Sequence, residues 1–165
     1  MPSAETEDFS TEPDVEERRV DVPPPTTPAA LSKLLALWQS FATGGEIPHR
    51  GQLDTFALRP WLGHVMIYEA VDSGRDFRNR LEGSEVVALT GQDWTGRCAS
   101  EVDAKFGSRM LHYMQEVVRT GKPCIHTMWM FQNDAIRVTR LMMPIKSRPD
   151  GPVDQILAVL YQDGA

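Results

Sequence analysis

The chain has 165 residues, and 17 lysines and arginines against 23 aspartates and glutamates give a net charge of −6. Residues 1–30 hold eight of the acids and two of the bases, so this segment carries the whole net charge. An acidic N-terminal segment argues against a signal peptide. Because residues 31–165 carry no net charge, they do not predict a nucleic-acid-binding surface. The apolar runs are too short to predict a membrane span. Two cysteines are too few for a disulfide framework, which predicts a cytoplasmic protein.

The first 27 residues have the composition of a disordered acidic tail. They contain no leucine, isoleucine, tryptophan or tyrosine, and they include the run Pro23–Pro25. Such a segment buries too little apolar surface to offset the entropy lost on ordering. It is interpreted either as a solubilising tail or as an arm that binds a partner. The remaining residues, 28–165, are enough for a single domain with a real core.

An amphipathic helix is predicted over residues 28–43. Thr27 has the chemistry of an N-cap, Pro28 suits the first helical position, and Gly44 with Gly45 ends the helix. At about 100° per residue, the large apolar side chains fall on one side of this helix. That apolar stripe includes Leu31, Leu34, Leu35, Trp38 and Phe41.

The middle of the chain predicts a hairpin followed by helices. Residues 65–71 and 77–81 have strand patterns separated by turn chemistry, and residues 84–89 form a short helix. One longer helix is predicted over residues 102–120, because its apolar side chains share one face and Gly121 ends it.

Three more strands are predicted in the last third, at residues 124–131, 135–145 and 154–162. The element order predicts an α+β fold: a five-stranded antiparallel sheet with helices inserted between strands 2 and 3. Residues 128–131 and 156–161 are apolar at every position, so both faces of the sheet should be covered. The inserted helices can cover one face, and helix 28–43, from the same chain or from a dimer partner, would cover the other.

Several short motifs resemble those of a PAS-like family of short bacterial proteins. Phe77–Ser84 followed by Gly91–Arg97 is similar to the family's aromatic-Arg-x-Arg-Leu-x-Gly-Thr and Gly-x-Asp-x-Thr-Gly elements. Upstream, Leu37-Trp38, Pro48-x-Arg50 and Leu62–Val65 resemble its opening. The similarity covers about residues 31–162. Asn79 and Ser84 stand where tyrosine and threonine are commoner in the family.

The resemblance implies a PAS-like fold and a sensory or signalling domain that binds a small ligand, a protein partner, or both. A ligand-free module for protein–protein interaction or dimerisation is the alternative, and an enzyme ranks third. The sequence contains no Gly-Lys-Ser/Thr phosphate loop, no dinucleotide glycine fingerprint and no Gly-x-Ser-x-Gly elbow. We therefore expect a non-enzymatic protein without nucleic-acid or membrane partners.

Metal, haem and flavin sites are not favoured by the sequence. His126 shares a strand face with Cys124, but no second cluster supplies the further ligands that a metal needs. His112 lies opposite the apolar arc of its helix, which argues against a haem ligand pointing into a pocket. Cys98 lacks the sequence context expected of a flavin photoreceptor cysteine.

The methionines give a weaker indication of a ligand pocket. Met110, Met114, Met128, Met130, Met142 and Met143 could surround one adaptable cavity or simply fill an ordinary core. If a pocket exists, its candidate residues are Arg80, Trp94, Tyr113, His126 and Met128.

Overall fold

The structure, a computed structural model, describes residues 15–130 and 135–164. The strands are β1 Val15–Val20, β2 Val65–Val71, β3 Asp76–Glu82, β4 Cys124–Met130, β5 Ile136–Lys146 and β6 Val153–Gln162. The α-helices are α1 Ala29–Phe41, α2 Ser84–Thr90, α3 Ala99–Phe106 and α4 Met110–Thr120. Short 3₁₀ turns occupy Thr43–Gly45, Arg59–His64 and Asp72–Gly74.

The strands form one antiparallel sheet in the order β1-β4-β5-β6-β2-β3. The five strands predicted from the sequence are confirmed, with no end shifted by more than one residue, and α2 is confirmed at Ser84–Thr90. The α+β architecture with helices between the second and third predicted strands is therefore the observed one. None of the helices that the structure describes is long and apolar enough to cross a membrane.

A sixth strand corrects two predictions about the N-terminal segment. Val15–Val20 pairs with β4 from Val15 opposite Met130 to Val20 opposite Ile125, so the sheet has six strands instead of five. The disorder predicted for residues 1–27 is wrong for this strand, whereas residues 1–14 lie outside the described part of the chain. Backbone hydrogen bonds and ion pairs hold β1 in place, and neither is visible in a count of apolar residues.

The predicted long helix 102–120 is in fact two helices. Gly107, with φ of +69°, ends α3 in the left-handed conformation that glycine adopts without strain. The Asp103 carboxylate then accepts hydrogen bonds from the backbone N–H groups of Met110 and Leu111, at 2.8 and 2.9 Å. Asp103 therefore caps the start of α4 from within the preceding helix, which the apolar periodicity of the sequence does not reveal.

Helix α1 covers one face of the sheet, and the helix predicted over 28–43 is confirmed with slightly shorter ends. Trp38 is buried and donates from Nε1 to the Pro144 carbonyl at 2.8 Å, while Trp61 donates from Nε1 to the Ala30 carbonyl at 2.7 Å. Thr27 is not the side-chain cap that was predicted, because its hydroxyl donates to Asp163 instead, at 2.7 Å. The buried residues of this cluster include Leu31, Leu34, Val65, Ile67, Leu141, Leu157 and Val159, with Leu35 and Phe41 packed at its edge.

The opposite face of the sheet packs against α2, α3 and α4, so the prediction that both faces are covered is confirmed. Gly83 joins β3 to α2 and approaches the Gly63 backbone so closely that a Cβ would collide with the Gly63 carbonyl. The two sequence motifs meet nearby, where Asn79 pairs through its backbone with Arg97 and Gly96. In the second motif, Asp93 accepts a hydrogen bond from the backbone N–H of Thr95 at 2.9 Å.

Candidate functional site

A cavity of about 60 Å³ lies between the sheet and the helices α2, α3 and α4. Its apolar lining consists of Met66, Val86, Val102, Phe106, Met110, Met128, Met130 and Leu160. Its polar lining consists of Tyr68, Glu82, Thr90, Trp94, Ser108 and Arg140. A concave, mainly apolar space with a few polar groups is the usual form of a small-molecule site.

Arg140 places a buried positive charge at this cavity. Its Nη1 donates to Glu17 Oε1 at 2.8 Å, and both side chains are only 4 % exposed. The other carboxylate oxygen, Glu17 Oε2, accepts from the backbone N–H of Arg109 at the start of α4. Within the described residues, Arg140 Nε and Nη2 are buried and have no hydrogen-bond partner.

Arg140 belongs to a row of basic side chains across three strands. Arg19 of β1 lies opposite His126 of β4, and His126 lies opposite Arg140 of β5. Arg19 forms a two-pronged ion pair with Glu116 of α4, at 2.8 and 2.7 Å. Strand β1 thus bonds to α4 through Arg19 and, through Glu17, to the start of the same helix.

His126 is held neutral at the centre of this row. Burial, reinforced by the positive charges of Arg140 and Arg19, lowers the pKa of His126 to about 3. Its ring lies 4.0 Å from the Tyr113 ring, centre to centre, and neither ring nitrogen has a hydrogen-bond partner among the described residues. The neutral imidazole leaves the Arg140–Glu17 and Arg19–Glu116 pairs as the charged groups of the row.

Glu82 is the acid that lines the cavity. Burial is the main cause that raises the pKa of Glu82 to about 7, and the neighbouring Asp93 carboxylate acts in the same direction. Glu82 accepts a hydrogen bond from the backbone N–H of Trp94. The Trp94 indole Nε1 is buried without a partner in the part of the chain that the structure describes. Near neutral pH this wall of the cavity is therefore only partly charged.

The structure places the five predicted pocket residues in three settings. Trp94 and Met128 line the cavity. Tyr113 and His126 contact each other outside the lining, and His126 lies opposite Arg140 in the sheet. Arg80 corrects the prediction: it is half-exposed and forms an ion pair with Glu69 at 2.6 Å on the outer face. Phe77 and Asn79 point inward along β3, so strand alternation turns Arg80 away.

The predicted group of methionines is also divided by strand alternation. Met110, Met128 and Met130 line the cavity together with Met66, which was not predicted. Met114 and Met142 belong to the same apolar cluster without lining the cavity. Met143 is turned to the opposite face, under α1, so the idea that it borders the same cavity is wrong.

Sequence reasoning missed Arg140, Glu82 and Tyr68. Arg140 is the single charged residue in the buried run Val138–Ile145, in a strand that is buried on both faces. A single charge in such a run is the signal that could have identified it, because a buried charge requires a partner. The partner, Glu17, could not be identified because it lies in the segment predicted to be disordered.

Among residues 15–130 and 135–164, no cluster of three or more histidine, cysteine, aspartate or glutamate side chains could hold a metal ion. Cys98 precedes α3 and is not part of the cavity lining. The volume of about 60 Å³ is smaller than that of an apolar cavity of roughly 150 Å³ that binds benzene.

Comparison with known proteins identifies the family. The family model for the PAS domain matches residues 26–161, and the chain belongs to the PAS domain family. Strand β1 lies before the matched region. Such domains are sensory or signalling modules, and this is the class of protein that the fold defines.

One solved structure that resembles the chain is described as an RNA-binding light-oxygen-voltage receptor. The two chains share 16 % sequence identity with a TM-score of 0.49. The match covers 92 % of this chain and 38 % of the receptor chain. No curated protein matches the sequence.

Replacing Glu82 with glutamine is expected to change how stability depends on pH. The folded protein retains the Glu82 proton between pH 4.5 and about 7, whereas the unfolded chain loses it, so the unfolding free energy of the wild type falls as pH rises through this window. Glutamine removes that fall and can still accept from Trp94. Because the carboxyl group is only half-buried, solvent reduces the effect. We expect the unfolding free energy of the variant to exceed that of the wild type by about 1–2 kcal/mol at pH 8.

Urea denaturation of both proteins at pH 5, 6, 7 and 8 measures this difference. His126 contributes in the opposite sense between pH 3 and 6.5, because its lowered pKa keeps the folded state unprotonated, but it contributes equally to both proteins. The control is Glu85→Gln, an exposed residue of α2. If the stability difference between Glu82→Gln and the wild type does not vary with pH, the raised pKa of Glu82 is contradicted.

Proposed function

We propose that this PAS domain is a non-enzymatic, cytoplasmic sensory domain that binds a small ligand in the cavity and transmits a change to a protein partner. The observation that supports it is Arg140, a buried cation at a mainly apolar cavity with two donor nitrogens left unpaired among the described residues. Buried polar groups in folded proteins are normally bonded. The two unpaired nitrogens of Arg140 are explained if they donate to a bound ligand.

Signal transmission is proposed to involve β1 and the helical side of the domain. Strand β1 contacts the cavity residue Arg140 through Glu17 and contacts α4 through Arg19, so a change at the cavity can alter both elements. A homodimer through the apolar side of α1 would require an exchange of that helix between chains. This follows because Leu31, Leu34 and Trp38 pack on the sheet of their own chain.

Native mass spectrometry of freshly purified protein tests the proposal. We expect a mass above that of the chain, which disappears after denaturation, and a defined small molecule in the released fraction. Val86→Phe, which fills the cavity from α2, should abolish the extra mass, whereas Val87→Phe, which does not line the cavity, should keep it.

The outcomes separate the competing functions. Protein without added mass, whose partner binding is unchanged by Val86→Phe, would favour the ligand-free interaction module and contradict the sensor. Absorbance in the visible range would point to haem or flavin and would require a cavity larger than the one described.

A further inference from the structure

The unpaired edge of the Arg140 guanidinium has the geometry of a carboxylate site. Glu17 engages only Nη1, at 2.8 Å, and sends its second oxygen to Arg109. Nε and Nη2, both buried without a partner in the described residues, lie side by side on one edge of the planar guanidinium group. Two parallel N–H donors on such an edge match the two oxygens of a carboxylate.

The rest of the cavity limits the size and polarity of the ligand. Its volume of about 60 Å³ is well below the roughly 150 Å³ that accommodates benzene. Met66, Met110, Met128 and Met130 form an apolar wall that can adapt to a short tail. A ligand with a carboxylate at one end and two to four carbons in all fits both constraints.

We propose that the cavity binds a short-chain monocarboxylate whose carboxylate occupies the Nε and Nη2 edge of Arg140 and competes with Glu17 for its charge. The proposal rests on the sensory function proposed above and specifies its ligand class. One guanidinium charge then serves two carboxylates, so ligand binding weakens the hold of Arg140 on Glu17. Since Glu17 belongs to β1, the ligand loosens the docking of that strand.

Other ligand chemistries fit the site less well. A phosphate would bring up to two negative charges beside Glu17 and a partly ionised Glu82. A neutral amide offers one carbonyl oxygen and would leave one of the two donor nitrogens unpaired. A monocarboxylate satisfies both donors and adds one charge.

Binding of propionate, compared with its neutral isostere propionamide, tests the ligand class. Isothermal titration of the full chain should give a dissociation constant in the millimolar range or tighter for propionate and at least tenfold weaker binding for propionamide. The double variant E17Q/R140M removes both buried charges together and should lose propionate binding at least tenfold. Equal binding of the two compounds, or propionate binding unchanged in the double variant, would overturn the proposal.

The competition with Glu17 has its own readout. E17Q should bind propionate about tenfold more tightly than wild type, with no gain for propionamide, because the competing charge is gone. In the wild type, propionate should accelerate amide hydrogen exchange in residues 15–20. If bound propionate weakens the contact between Arg140 and Glu17, that contact must weaken propionate binding by the same factor. If E17Q does not fold, two measurements on the wild type still test the proposal: the comparison of propionate with propionamide, and the amide exchange rates.

The failure of this proposal can be told apart from failure of the sensory function. A non-carboxylate molecule found by native mass spectrometry, together with no response to propionate, rejects the monocarboxylate and keeps the sensor. Protein that carries no small molecule and responds to neither compound rejects both.

Discussion

Replacing Glu17 with alanine is expected to lower the unfolding free energy by about 3–5 kcal/mol, because it leaves Arg140 buried without its counter-ion. Both side chains are 4 % exposed, so water cannot replace the lost carboxylate without opening the structure. The same change also removes the acceptor for the Arg109 backbone N–H. Urea denaturation at pH 7 measures the effect.

Two comparisons make this expectation specific. Glu16→Ala alters an exposed residue of the same strand and should change the unfolding free energy by no more than about 0.5 kcal/mol. The double variant E17L/R140L should recover most of the stability, because apolar replacement of both partners of a buried pair is often neutral. If Glu17→Ala is as stable as Glu16→Ala, β1 does not supply the counter-ion of Arg140.

The N-terminal segment shows what composition can and cannot predict. Residues 1–27 have few large apolar side chains, and the inference of disorder follows from that alone. Yet Val15–Val20 is an edge strand whose contacts are backbone hydrogen bonds to β4 and two ion pairs, through Glu17 and Arg19. Both partners of these pairs lie about a hundred residues away, and no local pattern in a single sequence encodes such pairings.

The body of the fold was predictable because its signals are local. The hairpin of β2 and β3, the helix α2 and the three last strands each have their own periodicity and turn residues, and each appears close to its predicted bounds. The break between α3 and α4 was missed because the apolar face continues across Gly107. There the cap comes from Asp103, whose role depends on three-dimensional geometry.

The candidate site was predicted only in part for a similar reason. Trp94 and Met128 were identified as cavity residues, and both line it. Arg80 was predicted as a pocket residue, but its side chain lies on the outer face of β3 and pairs with Glu69. Arg140 carried no motif, and its importance depends on burial beside Glu17, which only the folded arrangement shows.

Replacing Trp38 with alanine is expected to lower the unfolding free energy by about 3–5 kcal/mol. Trp38 is 5 % exposed in the cluster between α1 and the sheet, and its Nε1 donates to the Pro144 carbonyl of β5 at 2.8 Å. The alanine variant removes the indole volume and the hydrogen bond together. Trp38→Phe keeps most of the ring and should lose about 1–2 kcal/mol, the cost of an unpaired buried carbonyl with some loss of packing.

The same variants test whether α1 covers its own sheet or that of a partner. Lys33→Ala, an exposed position of the same helix, is the control and should remain close to wild type. If α1 packs within its own chain, the loss of stability in Trp38→Ala is independent of protein concentration. If α1 is exchanged between two chains, dilution destabilises the wild type, and size-exclusion chromatography shows Trp38→Ala shifting from dimer to monomer. Packing of Leu31, Leu34 and Trp38 on the chain's own strands favours the first outcome.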